Sequence, residues 1–389
     1  MKKLLALILA ALMIATLSAC SDKDEGNDDE LKNYLQNDEV VDHVTLENGE
    51  TFYFNTIDSV TVSITGYKGS DEKHPLSIPS QLAGKNVAAI SKEAFKECTS
   101  INSVTIPETV ETIGSYAFRG CSALTEINIP ATVKSIGVGA FYNCTSATKV
   151  TFASGSPIKT IEMHTFNGCT SLASVTVPSH VKTVKAGAFY GCTALTEVTI
   201  CDGVENIEHQ AFQNCTSLSK VTFAGDVVVG SQVFSGAAED LEMIFGAEAQ
   251  VWFLEKVDNK DDKDDDTLVS VIGYVCGDNV AAHAVNVPAT MQGKNVVAIG
   301  KGAFENCAKI SSVVISGSVK TIGESAFKGC TALTEVTLVN GVETIGVDAF
   351  RGCTELTTVE APETLKAIGE NAFEDCTKLT NPPVVEQEA

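Results

Sequence analysis

The sequence predicts a solenoid of short repeats, β-rich with short helical turns, laid out as two tandem arrays that each open with a β-hairpin cap. Three observations carry this expectation. Cysteines recur at a fixed step, a Phe stands three residues before each of them, and the whole pattern restarts 209 residues further on.

The steps are regular. Cys98, Cys121, Cys144, Cys169, Cys192 and Cys215 are separated by 23, 23, 25, 23 and 23 residues, and Cys307, Cys330, Cys353 and Cys376 by 23 each. Their companions are Phe95, Phe118, Phe141, Phe166, Phe189, Phe212, Phe304, Phe327, Phe350 and Phe373. Recurrence at a fixed period of this length marks a repeat architecture. A degenerate copy at 227–245 lacks the cysteine.

Each unit has a physical reading. Leu124, Ile127 and Ile129 end in the two-residue spacing of a half-buried strand. Pro130 ends the strand, because it cannot donate to a ladder. Val133 and Ile136 bring the chain inward, and Gly137 allows a turn. Ala140, Phe141 and Cys144 lie at helical spacing and predict one short turn of helix facing the core. One unit cannot bury these side chains alone, whereas stacked units can, in one continuous apolar column.

The pattern IPxxVxxIGxxAFxGCxxLxxVxIP, over about residues 76–245 and 285–380, resembles the BspA-like family of bacterial leucine-rich repeats. The resemblance implies a leucine-rich-repeat-type solenoid. It also implies a non-catalytic adhesion protein that engages a protein partner on a host or bacterial surface. The family's partners are varied, so the motif is specific for fold and names no ligand.

Residues 76–98 (LSIPSQLAGKNVAAISKEAFKEC) and 285–307 (VNVPATMQGKNVVAIGKGAFENC) are the matching starts of the two arrays. Upstream of each, 51–67 and 251–274 read as hairpins ending in Gly66-Tyr67 and Gly273-Tyr274. Such a hairpin would cover the apolar end of a solenoid. The expected organisation is therefore a signal segment at 1–19, an acidic tether at 20–42, array one at 43–247, array two at 248–380 and a tail at 381–389.

The N-terminus reads as an address. Lys2 and Lys3 precede an apolar stretch, Leu4 to Leu17, that is too short for a comfortable membrane span and suits a signal segment. Leu17-Ser18-Ala19-Cys20 resembles the bacterial lipobox, which implies lipidation of Cys20. The run SDKDEGNDDE that follows is a solvated tether by composition. It also resembles the surface-export signal of Bacteroidetes-type lipoproteins. Residues 30–42 can hold a short helix. The expectation is an exported outer-membrane lipoprotein, at the cell surface and held by lipid alone.

Composition limits the chemistry. The 389 residues carry a formal charge of −23 and 44% apolar residues. That is enough for a core, and it argues against nucleic-acid partners, whose phosphates need cationic neutralisation. No GxSxG, HExxH or P-loop occurs, and the six histidines (43, 74, 164, 180, 209, 283) show no shared spacing, so no catalytic residue and no cofactor is expected. The ten ladder cysteines lack the clustering of a metal site. Disulfides would need close pairing, which coils far apart on that side would not give, and buried free thiols pack as small hydrophobes. Cys201 and Cys276 fall outside the ladder. The run 258–266 is either a solvated hairpin tip or a Ca²⁺ loop without EF-hand spacing.

Other surface features leave two readings open. Asp58-Ser59-Val60 and Asp266-Thr267-Leu268 either form hairpin turns or, by resemblance, offer Ser59 and Thr267 as O-glycan acceptors. Outward strand positions form ladders such as Thr105, Asn128, Thr151 and Ser103, Glu126, Lys149, without aromatic anchors. Tyr116, Tyr142 and Tyr190 near the turns, and Trp252, are better anchors for a partner, although Trp252 can also pack in the cap. The competing function is a structural component of the envelope with no host ligand.

Replacing Cys20 by Ala is expected to abolish lipid attachment. Metabolic labelling with a clickable fatty acid checks this, and equal label on wild type and Cys20→Ala would rule the lipobox out.

Overall fold

A repeat folds into one coil with three sides: a four-residue strand, a two-residue strand and a turn segment. The computed structural model describes residues 42–257, 267–276 and 281–385. The signal segment, Cys20, the tether up to residue 41, the acidic run 258–266 and residues 386–389 lie outside the described residues.

Strand Lys149–Phe152 pairs in parallel with Glu126–Ile129, Lys149 facing Glu126 and Phe152 facing Ile129. Ser135–Ile136 pairs likewise with Thr112–Ile113. The 23-residue step therefore sets the register. Each apolar residue meets its own counterpart one coil on, and a slip of one would turn the buried face outward.

The chain groups into two compact units. The first takes the chain to residue 198 together with 210–220 and 234–241, and the second takes 199–209, 221–233 and everything from 242. In the first, Thr51–Thr56 and Thr61–Lys68 form an antiparallel hairpin. Its second strand continues in parallel with Lys85–Ile90. In the second, Gln250–Lys256 and Leu268–Cys276 form the hairpin. Leu268–Cys276 continues in parallel with Lys294–Ile299 and then Thr321–Ile322, while Gln250–Lys256 pairs in parallel with Val227–Val229. Sequence patterning placed residue 42 at the end of a helical tether. Instead Asp42–Thr45 is a strand that lies antiparallel on Thr51–Thr56 and covers the outer edge of the first hairpin.

The turn segment differs from the expected turn of helix, and no α-helix occurs among the described residues. Gly114 to Cys121 is three overlapping turns, closed by Ala117 N–H to Gly114 O (3.3 Å), Arg119 N–H to Tyr116 O (3.0 Å) and Cys121 N–H to Phe118 O (3.2 Å). Tyr116 (φ 56°) and Gly120 (φ 73°) are left-handed, as residue i+2 of a type II turn requires. A helix would keep every φ negative and spend all its donors internally. Here the alternate donors leave the coil: Tyr116 N–H reaches Val138 O at 2.9 Å, Phe118 N–H reaches Ala140 O at 2.7 Å, and Gly120 N–H reaches Tyr142 O at 2.7 Å.

Gly137 is required for a different reason from the expected turn, since its φ is not left-handed. A Cβ there would lie 2.4 Å from Ser115 N and 2.7 Å from Gly114 C, so the close backbone of the preceding coil excludes any side chain.

Inside, the phenylalanines stack. In the first unit Phe95, Phe118, Phe141, Phe166, Phe189 and Phe212 lie with neighbouring ring centroids 5.0, 5.2, 5.7, 5.2 and 5.0 Å apart. The widest gap is at the 25-residue coil. In the second unit the column Phe304, Phe327, Phe350, Phe373 has spacings of 4.6, 5.1 and 5.3 Å. Every ring is fully buried except Phe373 on the last coil, which is half-buried.

Phe141→Ala is expected to cost about 3–5 kcal/mol, as loss of a large buried aromatic does, and Phe373→Ala clearly less. Chemical denaturation of the two variants checks the order. A Phe141→Ala curve overlying wild type would contradict the column.

Candidate binding face

The thiols form a second column beside the rings. Cys98, Cys121, Cys144, Cys169, Cys192, Cys215, Cys330, Cys353 and Cys376 are buried and unbridged, and Cys307 is half-buried and unbridged. Eight of these thiols find the carbonyl of the Phe one coil earlier, such as Cys121 Sγ to Phe95 O at 3.0 Å, Cys144 Sγ to Phe118 O at 3.2 Å, Cys330 Sγ to Phe304 O at 3.1 Å and Cys376 Sγ to Phe350 O at 3.1 Å, while Cys307 meets Tyr274 O at 3.5 Å. That inward carbonyl otherwise meets only a long bond from its own turn, so a small side chain with a weak donor suits the site better than Ala or Val. The coils are not far apart here, as spacing arguments supposed. They are hydrogen-bonded to one another, and the thiols remain unbridged, most of them aimed at a carbonyl.

Burial raises Cys144 well above the usual thiol range and pushes Cys169 up to about 12. It raises Cys330 too, and Cys192 is raised by the neighbouring Cys215 thiol together with burial. Such thiols are inert, because the thiolate is the reactive form. Cys201, outside the ladder, is half-buried and raised by burial.

Both hairpin caps carry one polar network. Tyr67 and Tyr274 stand as the first rung of each ring column, their centroids 5.4 Å from Phe95 and 5.3 Å from Phe304. A buried phenol needs a partner for its hydroxyl. Tyr67 donates to Glu50 Oε1 (2.8 Å) and meets His74 Nε2 (2.9 Å), whose Nδ1 donates to Glu72 O at 2.8 Å. Tyr274 donates to Gln250 Oε1 (2.7 Å) and meets His283 Nε2 (2.7 Å), whose Nδ1 donates to Ala281 O at 3.0 Å. The histidines therefore do share a spacing: His74 and His283 are one array offset apart, and comparing the arrays residue by residue would have found them. Trp252 packs in the second cap, 4.7 Å from Tyr274 and 5.7 Å from Phe304 between centroids.

Ser59 and Thr267 are both exposed but do not occupy matching places. Thr61 faces Asn86 and Leu268 faces Asn295, so Thr267 corresponds to Val60. Asp58 Oδ1 accepts from Val60 N–H (2.8 Å) and Thr61 N–H (2.9 Å), a local turn, and the Val60 bond first of all holds its carboxyl below the usual range. Among the described residues no group of three or more His, Cys, Asp or Glu is arranged to hold a metal ion.

Many polar side chains of the strand face pair with one another or with backbone. Glu126 faces Lys149, Ser312 faces Glu335, and Lys220 pairs with Glu197 at 2.8 Å. A ladder of hydroxyls bonds the preceding coil's backbone: Thr125 to Asn102 O (3.0 Å), Thr148 to Thr125 O (3.2 Å), Thr334 to Ser311 O (2.9 Å), Thr357 to Thr334 O (2.9 Å).

The turn face of the first unit is different. Arg119 lies between two rings, its guanidinium carbon 5.9 Å from the Tyr116 centroid and 5.7 Å from that of Tyr142. Met163, 42% exposed, and half-buried His164 and Tyr190 continue the strip along successive coils. In a chain of charge −23 this strip holds one acidic side chain, Glu162 at its edge. The second unit's turn face carries ion pairs instead, such as Lys301–Glu324 (2.8 Å) and Arg351–Glu374 (2.9 Å). Aromatics with Arg are the composition of interface anchors.

A family model and several solved structures are similar to this chain. The model of a family described as BspA type leucine rich repeat region matches residues 88–219, 154–247 and 292–386, in six copies. Among solved structures, a leucine rich cell surface protein from Faecalibacterium prausnitzii is 28% identical, with 88% of this chain and 94% of that one covered and a TM-score of 0.47. A leucine-rich repeat protein from Bacteroides ovatus is 23% identical over 88% of this chain and 93% of that one, with a TM-score of 0.30. The pneumococcal vaccine antigen PcpA is 20% identical over 88% and 81%, with a TM-score of 0.37. No curated protein matches.

The raised thiols set a pH dependence. Native Cys169 keeps its proton up to about 12, whereas the unfolded thiol, at 9.0, loses it earlier. The unfolded state therefore binds fewer protons, and stability is fully present below pH 9 and falls as pH rises from there towards 12, by about 1.4 kcal/mol per unit for each such thiol. Denaturation midpoints at pH 8 and pH 10 check the sign. In parallel, ladder thiols should resist a bulky reagent in the native protein and all react in denaturant without reductant; thiols that appear only after reduction would mean the column is bridged.

Proposed function

The chain belongs to the BspA-type leucine-rich-repeat family, and we propose that it is a lipid-anchored protein of the bacterial surface that binds a protein partner without catalysis. Cys20 would carry the lipid and residues 20–42 the tether, with the outer membrane as its location. Among the described residues no helix is long and apolar enough to cross a membrane. Two arrays, 43–247 and 248–380, would present the binding faces, and Ser59 and Thr267 would be acceptors for O-glycans.

One observation carries this reading: the aromatic strip of Tyr116, Arg119, Tyr142, Met163, His164 and Tyr190. The cap networks and the ladder thiols are turned into the core, while this strip gathers half-buried rings and a guanidinium on the surface of an otherwise acidic chain. The competing reading is a structural role in the envelope without a host ligand, supported by the pairing within the strand face.

Protease added to intact cells should remove the repeat body. Immobilised host extracellular proteins should retain cells with wild-type protein several-fold better than cells with Tyr142→Ala/Tyr190→Ala. A body untouched by external protease would exclude adhesion and favour the structural role.

A further inference from the structure

The two caps are built alike and differ in one functional group. Tyr67 faces Phe52 across the first hairpin and Tyr274 faces Trp252 across the second. Glu50 and Gln250, each two residues before the facing ring, therefore occupy matching places. His74 and His283 reach the two phenols from strands that run parallel to Ile101–Thr105 and Ile310–Ile315. A carboxylate in the first cap stands where the second has a carboxamide.

In the first cap three short contacts form a chain: His74 Nδ1 to Glu72 O (2.8 Å), His74 Nε2 to the Tyr67 hydroxyl (2.9 Å), and that hydroxyl to Glu50 Oε1 (2.8 Å). Each contact needs a proton between its heavy atoms, and both ends of the chain, a backbone carbonyl and a carboxylate, can only accept. Tyr67 brings one proton and a neutral imidazole brings one, which leaves one contact of the three with lone pairs facing each other. A second ring proton completes the chain. Nδ1–H then donates to Glu72 O, Nε2–H donates to Tyr67, and Tyr67 donates to Glu50. Glu50 is held as an ion, because Asn48 Nδ2 donates to its other oxygen at 2.8 Å and His74 Nε2 lies 3.6 Å from its Oε1.

The second cap needs no such proton. Its contacts are His283 Nδ1 to Ala281 O (3.0 Å), His283 Nε2 to Tyr274 (2.7 Å) and Tyr274 to Gln250 (2.7 Å). A carboxamide carries donors as well as an acceptor. With its amide turned over, Gln250 donates to Tyr274, Tyr274 donates to His283 Nε2, and neutral His283 donates through Nδ1 to Ala281 O.

Other charges around the first cap are not engaged with this chain of contacts. The edge strand and its turn bring Asp42, His43 and Glu47, and the segment before His74 brings Lys68, Asp71, Glu72 and Lys73. The turn segment under Tyr67 brings Lys92, Glu93, Lys96 and Glu97, of which Lys96 pairs with Glu93 at 3.5 Å. The flanking strand Ile101–Thr105 has no titratable side chain. Among the described residues, the one ion pair made by Glu50 or His74 is the one between them.

We infer that the first cap is a proton-holding latch: His74 is a doubly protonated imidazolium joined through Tyr67 to ionised Glu50, whereas His283 in the second cap is neutral. The latch ties the turn after the edge strand Asp42–Thr45 to the first strand of the repeat stack, so it fastens the end of array one that follows the tether. An unfolded imidazole loses its second proton near pH 6.5. The folded cap then binds more protons than the unfolded chain, so the latch's contribution is fully present below about pH 6.5 and declines as pH rises above it.

The test is ¹⁵N NMR of the histidine-labelled full-length protein at pH 7.5, with the two rings assigned from the signals lost in His74→Gln and His283→Gln. Both ring nitrogens of His74 should carry protons, and His283 should carry one, on Nδ1. Glu50→Gln should convert His74 to the pattern of His283. It places in the first cap the residue that the second already has, and if it does not fold the wild-type spectrum decides alone. Amide exchange of Asp42–Thr45 gives a second readout. Corrected for intrinsic rates, protection in wild type should fall relative to Glu50→Gln by up to about tenfold per pH unit between pH 6.5 and 8.5, the slope of one proton. A single ring proton on wild-type His74, a doubly protonated His74 in Glu50→Gln, or parallel exchange profiles would overturn the inference.

Discussion

The structure rests on a division of hydrogen bonds inside the turn segment. Odd and even amides alternate between closing the local turn and reaching the next coil, as Ala117 and Phe118 do. This is possible only because two residues per segment, such as Tyr116 and Gly120, are left-handed. The rest follows from the resulting spacing. Rings one coil apart fall into stacking contact, the inward Phe carbonyl is left under-satisfied, and a thiol is the small donor that reaches it. The parallel strands on the other two sides then repeat at the same rise.

That economy explains where function can reside. A coil whose donors and acceptors are all met by its neighbours has no spare polar group inside, so specificity must come from side chains pointing outward. On the strand face many of those side chains pair with each other or with the preceding backbone. On the turn face of the first unit they are rings, with one guanidinium held between two of them. The equivalent face of the second unit is occupied by ion pairs, which at a solvated surface contribute little but leave no open ring.

The solenoid was legible because its determinants are periodic: apolar residues on two-residue spacing, Phe and Cys 23 residues apart, and a restart after 209 residues. The nature of the turns was not, since Ala140, Phe141 and Cys144 fit helical spacing equally well. What excludes a helix is the left-handed backbone at residues such as Tyr116 and His164, and nothing in those side chains announces it. Asp42–Thr45 was lost among polar tether residues, because a short edge strand has no inner face to pattern. Of the candidate face, Tyr116, Tyr142 and Tyr190 stood out by type. That they line one strip emerges only once the coils are stacked, and the Tyr67–His74 network required comparing the two arrays.

The alternation of turn hydrogen bonds is tested most directly by residue-resolved amide hydrogen exchange on the native protein. The amides of Phe118, Phe141, Phe166, Phe327 and Phe350 each donate to the next coil and should exchange only through unfolding of the whole unit. The amide of Phe373, with no further coil beyond it among the described residues, should exchange orders of magnitude faster. Equal protection at Phe350 and Phe373, or exchange at Phe141 as fast as in the loops, would contradict the account.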